Sequence, residues 1–381
     1  MKLAIRAPNW VGDLVMATPV FEAALASGRF TQIVVVVRRH LAGVLADSPA
    51  LASANAVLEP WDTAPEAAAT VRSASAARAS SASASANELR PTLRVVTIAS
   101  DSAETALYRE LAPGAVMLLS NSLGAAWRAY QGGVKLRAGS ALSGRRVLLT
   151  HSIVPPSKDG RRVPIPTAHL MRDVAGLLGV LVPDLHPRLG VRDEIVRRER
   201  ERLARLGIGF DQDYVMCCPG AAFGAAKLWP PERFAAALDR LHDLHGWRGV
   251  VSGGPGEEAL MEAVANASAS GVVSLANEVR DLEGLKALVK HSRLLLVGDS
   301  GPRWFAAAFD VPCVSLMGPN FPELTASALE LALIVRVEDL ECAPCLERVC
   351  PLGHHRCMRD IGVERVVAAA EDVLARASVR A

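Results

Sequence analysis

Strands of four or five Val, Ile and Leu residues, each followed by an amphipathic helical stretch, recur along the whole chain, and this alternation limits the fold more than any other feature. In the first half the runs are Leu3–Arg6, Ile33–Val37, Val95–Ala99, Ala115–Leu119 and Val147–Leu149. In the second half they are Tyr214–Cys217, Gly249–Ser252, Val272–Ser274, Leu294–Val297 and Cys313–Met317. Continuously apolar strands separated by helices such as Glu194–Leu206, Pro231–His245 and Glu257–Ala265 predict parallel sheets covered on both faces. Two such series meet near Val182–Arg188, so the expected fold is α/β with two Rossmann-like domains. The first domain is expected over 1–183 and the second over 184–360, with a terminal helix in 361–381 packing back on the first domain. A chain of 381 residues, 50% of them hydrophobic, is long enough to bury two cores.

Charge and composition exclude several classes. The 42 basic and 40 acidic residues leave a net charge of +2, which argues against a nucleic-acid binder. No apolar run approaches the roughly 18 residues of a membrane span. Lys2 leads straight into a strand rather than a signal-peptide layout, so a cytoplasmic protein is expected, with peripheral membrane contact left open; a monomer is the separate expectation for its assembly. Seven cysteines, an odd number, do not suggest a secreted disulfide framework. Cys217, Cys218 and Cys313 lie in or beside strands and read as core residues. The segment 70–87, nearly all Ala and Ser, reads as a surface excursion without chemistry.

In open parallel sheets, ligands bind beyond the carboxyl ends of the strands, and the candidate motifs of this chain all follow strands. After Leu3–Arg6 comes NWVGDLVMATP, with Asp13 next to Gly12 at the start of a helix that Pro19 should kink. Asp13 there is either an N-cap or a base that accepts a proton from a substrate hydroxyl. In the second half CPGAAFGAAKLWPPERF carries Gly220 and Lys227, SGGPGEE carries Gly253, Gly254 and Glu257, and GDSGPRWF carries Asp299, Ser300, Gly301 and Arg303. Small residues let backbone N–H groups approach an anion, and Lys adds a positive charge. Three such turns on one sheet edge suggest a diphosphate site. Neither GxxxxGK[ST] nor a GxGxxG after the first strand occurs, which disfavours kinases and dehydrogenases.

Two further constellations have open readings. Cys342, Cys345, Cys350 and Cys357, with His354 and His355, have spacing compatible with a bound metal, though a packed structural cluster explains it equally. Arg145, Arg146, Lys158, Arg161 and Arg162 flank HSIVPPSKDGRRVP, a basic loop that is either a solvated face or a contact for an anionic ligand.

Taken together, NWVGDLVMATP, PGAAFGAAKLWP, DSGPRWFAAAFDVPCVSLMGPN and CAPCLERVCPLGHHRCMRDI resemble the ADP-heptose:lipopolysaccharide heptosyltransferases, especially the heptosyltransferase II type. The resemblance implies the GT-B fold, with two parallel sheets facing a central cleft, and an inverting transfer of heptose from ADP-heptose to the lipopolysaccharide inner core. It implies that Asp13 is the general base and that Lys227 neutralises the leaving diphosphate. Asp299, Ser300 and Gly301 would form the phosphate turn, with Arg303 beside it. Gly220, Gly253 and Gly254 would line the nucleotide pocket, with Glu257 toward the ribose. Gly12, Lys158, Arg161 and Arg162 would meet the anionic acceptor at the cytoplasmic face of the inner membrane. No cofactor is implied, and the Cys/His cluster is then structural. Two positions depart from the family: Trp304 replaces a His, and Ala222 replaces a Glu. They leave open a relative that binds a sugar nucleotide without transferring it, or one that uses another nucleotide sugar.

Overall fold

Branched aliphatic residues resist helix and fit a pleated surface covered on both sides, and the runs that contain them form the central strands. The structure is a computed structural model and describes residues 1–54, 56, 58–61 and 91–380. The Ala/Ser-rich segment at 70–87 lies outside the described residues. The chain folds as two units, Met1–Gly190 and Val191–Ala381.

The first unit holds β1 (Lys2–Arg6), β2 (Gln32–Arg38), β3 (Leu58–Pro60), β4 (Thr92–Ile98), β5 (Ala115–Leu118), β6 (Leu136–Ser140) and β7 (His151–Ile153). They form one sheet in the order β3-β4-β2-β1-β5-β6-β7, and every pair in it is parallel. The chain moves outward from β1 in one direction through β2 and in the other through β5. The carboxyl ends of β1 and β5 therefore flank the point where the winding reverses, which is where such sheets bind ligands. A two-stranded antiparallel ribbon, β8 (Ser157–Lys158) and β9 (Arg161–Arg162), follows the sheet.

The second unit repeats the plan. Its strands are β10 (Tyr214–Cys218), β11 (Arg248–Val251), β12 (Val273–Ser274), β13 (Leu294–Gly298), β14 (Cys313–Leu316) and β15 (Ala332–Val335). The order is β12-β11-β10-β13-β14-β15, again all parallel, and the winding reverses between β10 and β13. Cys217, Cys218 and Cys313 are buried in the central strands. The terminal helix Val363–Arg380 packs on helix Pro231–His245 and on β14 and β15 of its own unit.

Four local expectations are corrected. Val147–Leu149 is not a strand: Arg145–Leu148 is a single 3-10 turn, and the edge strand starts at His151. Two residues of one sign and an αL glycine, Gly144, precede the turn's apolar run, and that chemistry favours a tight turn over a ladder. Arg145 does not face a ligand, because its guanidinium is fully buried. It donates to the Ser140 carbonyl at 2.8 Å, the Ser140 hydroxyl at 2.9 Å and Asn121 Oδ1 at 3.2 Å, and burial pulls its pKa down to about 10. Asp13 does not cap its helix. The cap position is Trp10, and Asp13 is the third residue of helix Val11–Met16. The break at Ala17 puts Pro19 in the first turn of a second helix, Thr18–Ala26, where a missing N–H costs nothing.

Candidate active site

At the carboxyl end of β1 a buried ion cluster holds the loop that carries Asp13. Glu104 is completely buried and accepts from Arg6 Nε at 3.0 Å, Arg128 Nε at 2.8 Å and the Tyr108 hydroxyl at 3.2 Å. Arg6 ends β1, and its other nitrogens reach forward to the Ala7 carbonyl and to Asn9 Oδ1, the latter at 2.8 Å. The chain from Ala7 to Trp10 is thus clamped from beneath by a charge that the core itself neutralises. Gly12 is buried, while Asp13 is half-buried and sits in the first helical turn, whose partial positive charge favours the carboxylate. Sequence reasoning singles out neither Arg6 nor Glu104. The available signals are an Arg closing an apolar strand and a Glu on the Leu107–Leu111 face of helix Asp101–Leu111. Glu104→Ala should strip the buried Arg6 guanidinium of its carboxylate, leave Arg128 with Asp101 alone, and lower unfolding stability by about 3–5 kcal/mol, read from urea denaturation. A loss within the scatter of surface substitutions would show that the cluster holds nothing.

The basic ribbon is a surface feature. Lys158 and Arg162 are exposed, and Arg161 lies opposite Lys158 in the β8–β9 register.

In the second unit the loops after β10 and β13 meet at the winding reversal. Lys227 Nζ donates to Asp299 Oδ2 at 2.6 Å and to the Asp299 carbonyl at 3.4 Å, and both side chains are about nine-tenths buried. Asn320 Nδ2 donates to the same Asp299 oxygen at 2.9 Å. Phe223 lies under two cations, Lys227 Nζ at 4.7 Å and the Arg348 guanidinium at 5.2 Å from its ring centre. Asn320 and Arg348 are additions to which sequence reasoning assigns no role.

Glycines here make room for one carboxylate. A Cβ on Gly220 would stand 2.1 Å from the Glu257 carboxyl, and one on Gly253 would stand 2.7 Å from Glu257 Oε2. The Gly254 N–H donates to that oxygen at 2.7 Å. Arg280 ties the same turn down through the Gly253 carbonyl at 3.1 Å and the Leu275 carbonyl at 2.8 Å.

The Asp299-Ser300-Gly301 turn leads into a six-residue helix, Arg303–Ala308, with Pro302 just before it. Arg303 is buried against the Trp304 ring at 4.3 Å and donates one nitrogen to the Ser327 carbonyl at 3.1 Å. Its Nε and Nη1, together with the Ser300 and Ser327 hydroxyls, are buried with no hydrogen-bond partner among the described residues. Desolvation lowers the Arg303 pKa. Native structures rarely leave so many polar atoms orphaned around one side chain.

The Cys/His segment braces the Lys227 loop. The Ala226 N–H donates to the Arg348 carbonyl at 3.0 Å, and the His355 ring meets the Ala226 carbonyl at 2.8 Å. Cys342, Cys345, Cys350 and Cys357 line one small enclosed cavity with His354 and His355. Burial and the neighbouring thiols of Cys345, Cys342 and Cys350 push Cys357 up to about 11, while the His355 N–H pulls Cys350 down. Among the described residues no three His, Cys, Asp or Glu side chains stand in place to hold a metal ion. His355→Ala should loosen the loop and lower unfolding stability by about 1 kcal/mol in urea denaturation, the effect of roughly one hydrogen bond. Unchanged stability would show that the segment does not brace the loop.

Two all-parallel α/β units, each with its polar residues at the carboxyl edge of a winding reversal, follow the plan of the GT-B fold. The fold has solved counterparts over nearly its whole length. A family 9 glycosyl transferase from Veillonella parvula aligns over 98% of this chain and 97% of its own, at 19% identity and a TM-score of 0.72. The E. coli ADP-heptose LPS heptosyltransferase II aligns over 99% and 100%, at 20% identity and 0.69. Residues 105–356 match glycosyltransferase family 9 (heptosyltransferase), and the chain belongs to that family. Lipooligosaccharide heptosyltransferase 2 of Campylobacter jejuni is 30% identical over 162 residues, which are 41% of this chain and 49% of that protein. The chain spans about half the length of the curated relatives it matches. Among the described residues, no helix is long and apolar enough to cross a membrane.

Proposed function

We propose that this transferase moves a heptose from ADP-heptose to the lipopolysaccharide inner core with inversion, at the cytoplasmic face of the inner membrane. The observation that carries the reading is the Lys227–Asp299 pair at the reversal between β10 and β13. A cation fixed there meets the diphosphate of a nucleotide sugar, and its charge offsets the negative charge that grows as ADP leaves. Arg303, with two unpartnered nitrogens, and the Ser300 hydroxyl are further donors to the phosphates. Gly220 and Gly253 leave room for the Glu257 carboxylate, the Gly254 N–H orients it, and Glu257 accepts from ribose hydroxyls at the edge of the nucleotide pocket these glycines line. Asp13 takes the proton from the acceptor hydroxyl as that oxygen attacks the anomeric carbon and the bond to the diphosphate breaks. Gly12 keeps the backbone beside it low, while Lys158, Arg161 and Arg162 supply charge for an anionic acceptor. The transfer step needs no metal in this scheme, because protein cations carry the charge.

Calorimetric titration with ADP, GDP and UDP tests the donor, and mass-spectrometric detection of heptose on a heptose-deficient core tests the acceptor. ADP is expected to bind selectively. Binding of none of the three would overturn the reading, and ADP binding without transfer would assign the protein to the non-transferring relatives that Trp304 and Ala222 suggest.

A further inference from the structure

From Leu111 to Lys158 the chain contains six Arg and Lys residues and no Asp or Glu. In a chain whose charges nearly cancel, so long an acid-free stretch sets one edge of the first sheet apart, the side formed by β5, β6 and β7. The same stretch exposes large apolar side chains. On helix Leu123–Gln131, Leu123, Trp127 and Tyr130 follow at intervals of four and three, which places them on one face. They are 48%, 46% and 52% exposed, and the two aromatic rings stack at 5.6 Å. The 3-10 turn that packs on this helix adds Val147, 88% exposed, beside exposed Arg146. Lys135 is exposed as well, and the Arg137 guanidinium lies 5.4 Å from the centre of the Tyr130 ring.

A stacked Trp–Tyr pair needs water at its polar tips and apolar surroundings for its rings, the situation at the headgroup level of a bilayer. Exposed Lys135 and Arg146 complement anionic headgroups, whose field falls off within about 10 Å, while Asp101 beside this helix is taken up by Arg128 and Arg38. The helix also begins just past Leu118, at the carboxyl edge of β5, the edge at which β1 presents the Asp13 loop. We propose that Leu123, Trp127, Tyr130 and Val147, rimmed by Lys135 and Arg146, dock the first unit onto an anionic phospholipid surface. An acceptor anchored in that surface then reaches the Asp13 edge without leaving the membrane. This last step rests on the transferase reading, but the docking itself does not.

The test is flotation of the purified full chain with vesicles of phosphatidylethanolamine and phosphatidylglycerol, against vesicles of phosphatidylcholine alone. Wild type is expected on the anionic vesicles only, with release at high salt. The Trp127→Ser/Tyr130→Ser variant is expected to lose roughly tenfold or more of the bound fraction, with an unchanged melting temperature and ADP affinity. Lys135→Glu/Arg146→Glu should abolish the preference for anionic lipid. The proposal is overturned if wild type does not float, or if the aromatic variant floats equally well. It is also overturned if wild type is a dimer that ignores vesicles and that Trp127→Ser/Tyr130→Ser converts to monomer. Because no arm of the flotation uses a sugar donor, a failed transfer assay leaves its outcome readable.

Discussion

Asp13→Asn is expected to lower the rate of heptose transfer by about 10²–10⁴-fold while ADP affinity stays the same, since general-base catalysis contributes on that scale. The substitution keeps the size and the polar character of the side chain, and the first helical turn loses a favourable charge at its N-terminal end. Such a charge is worth a few tenths of a kcal/mol to about one, and the helix Val11–Met16 is held mainly by its buried Gly12, Leu14, Val15 and Met16. A purely structural Asp13 therefore predicts a small stability change and a rate near wild type. A base predicts the reverse, an intact fold with a collapsed kcat. Asp13→Glu separates the two further, because it keeps the carboxylate but moves it by one methylene, and clamped loops tolerate such shifts poorly. Single-turnover transfer with each variant, alongside thermal melting, reads both quantities. A wild-type rate in Asp13→Asn would return the residue to the helix and leave the acceptor hydroxyl without a base.

The parts of the molecule legible from sequence are those whose cause is local. A run of branched aliphatic residues is such a cause, and the central strands Leu294–Gly298 and Cys313–Leu316 follow from it. So does helix Pro231–His245, which starts at its own Pro and ends at Gly246 in an αL cap. β6 carries Arg137 and Gly139, and β15 is a four-residue edge strand; both depend on their neighbours for their conformation, and neither stands out in the pattern. The site divides in the same way. Glycine turns after strands point to an anion regardless of the rest of the fold. The partners of those turns do not show themselves, because Glu104 meets Arg6 across 98 positions and Asn320 meets Asp299 across 21. Arg145 shows the opposite failure: a charged residue beside another in a loop reads as solvated, yet three backbone carbonyls and two side chains around it form a fully buried niche.

Lys227→Met should cost at least about 10²-fold in transfer and weaken ADP binding markedly, on the scale of removing one preorganised charge from a dry site. The variant also strands the Asp299 carboxylate, which is about nine-tenths buried and keeps, among the described residues, only Asn320 as a side-chain donor. A lost activity could then reflect a collapsed loop rather than a lost cation. Lys227→Met/Asp299→Asn resolves this, since it removes both charges together and leaves an amide that still bonds to Asn320. If Lys227 serves only to neutralise Asp299, the double variant recovers stability and activity together. If Lys227 faces the diphosphate, the double variant regains its melting temperature but remains unable to bind ADP or to transfer. Asp299→Asn alone sharpens the contrast, because it frees the Lys227 charge from its partner and should tighten ADP while loosening the turn that places it. An ADP affinity that rises in Asp299→Asn and vanishes in the double variant can come only from a lysine that answers the phosphates.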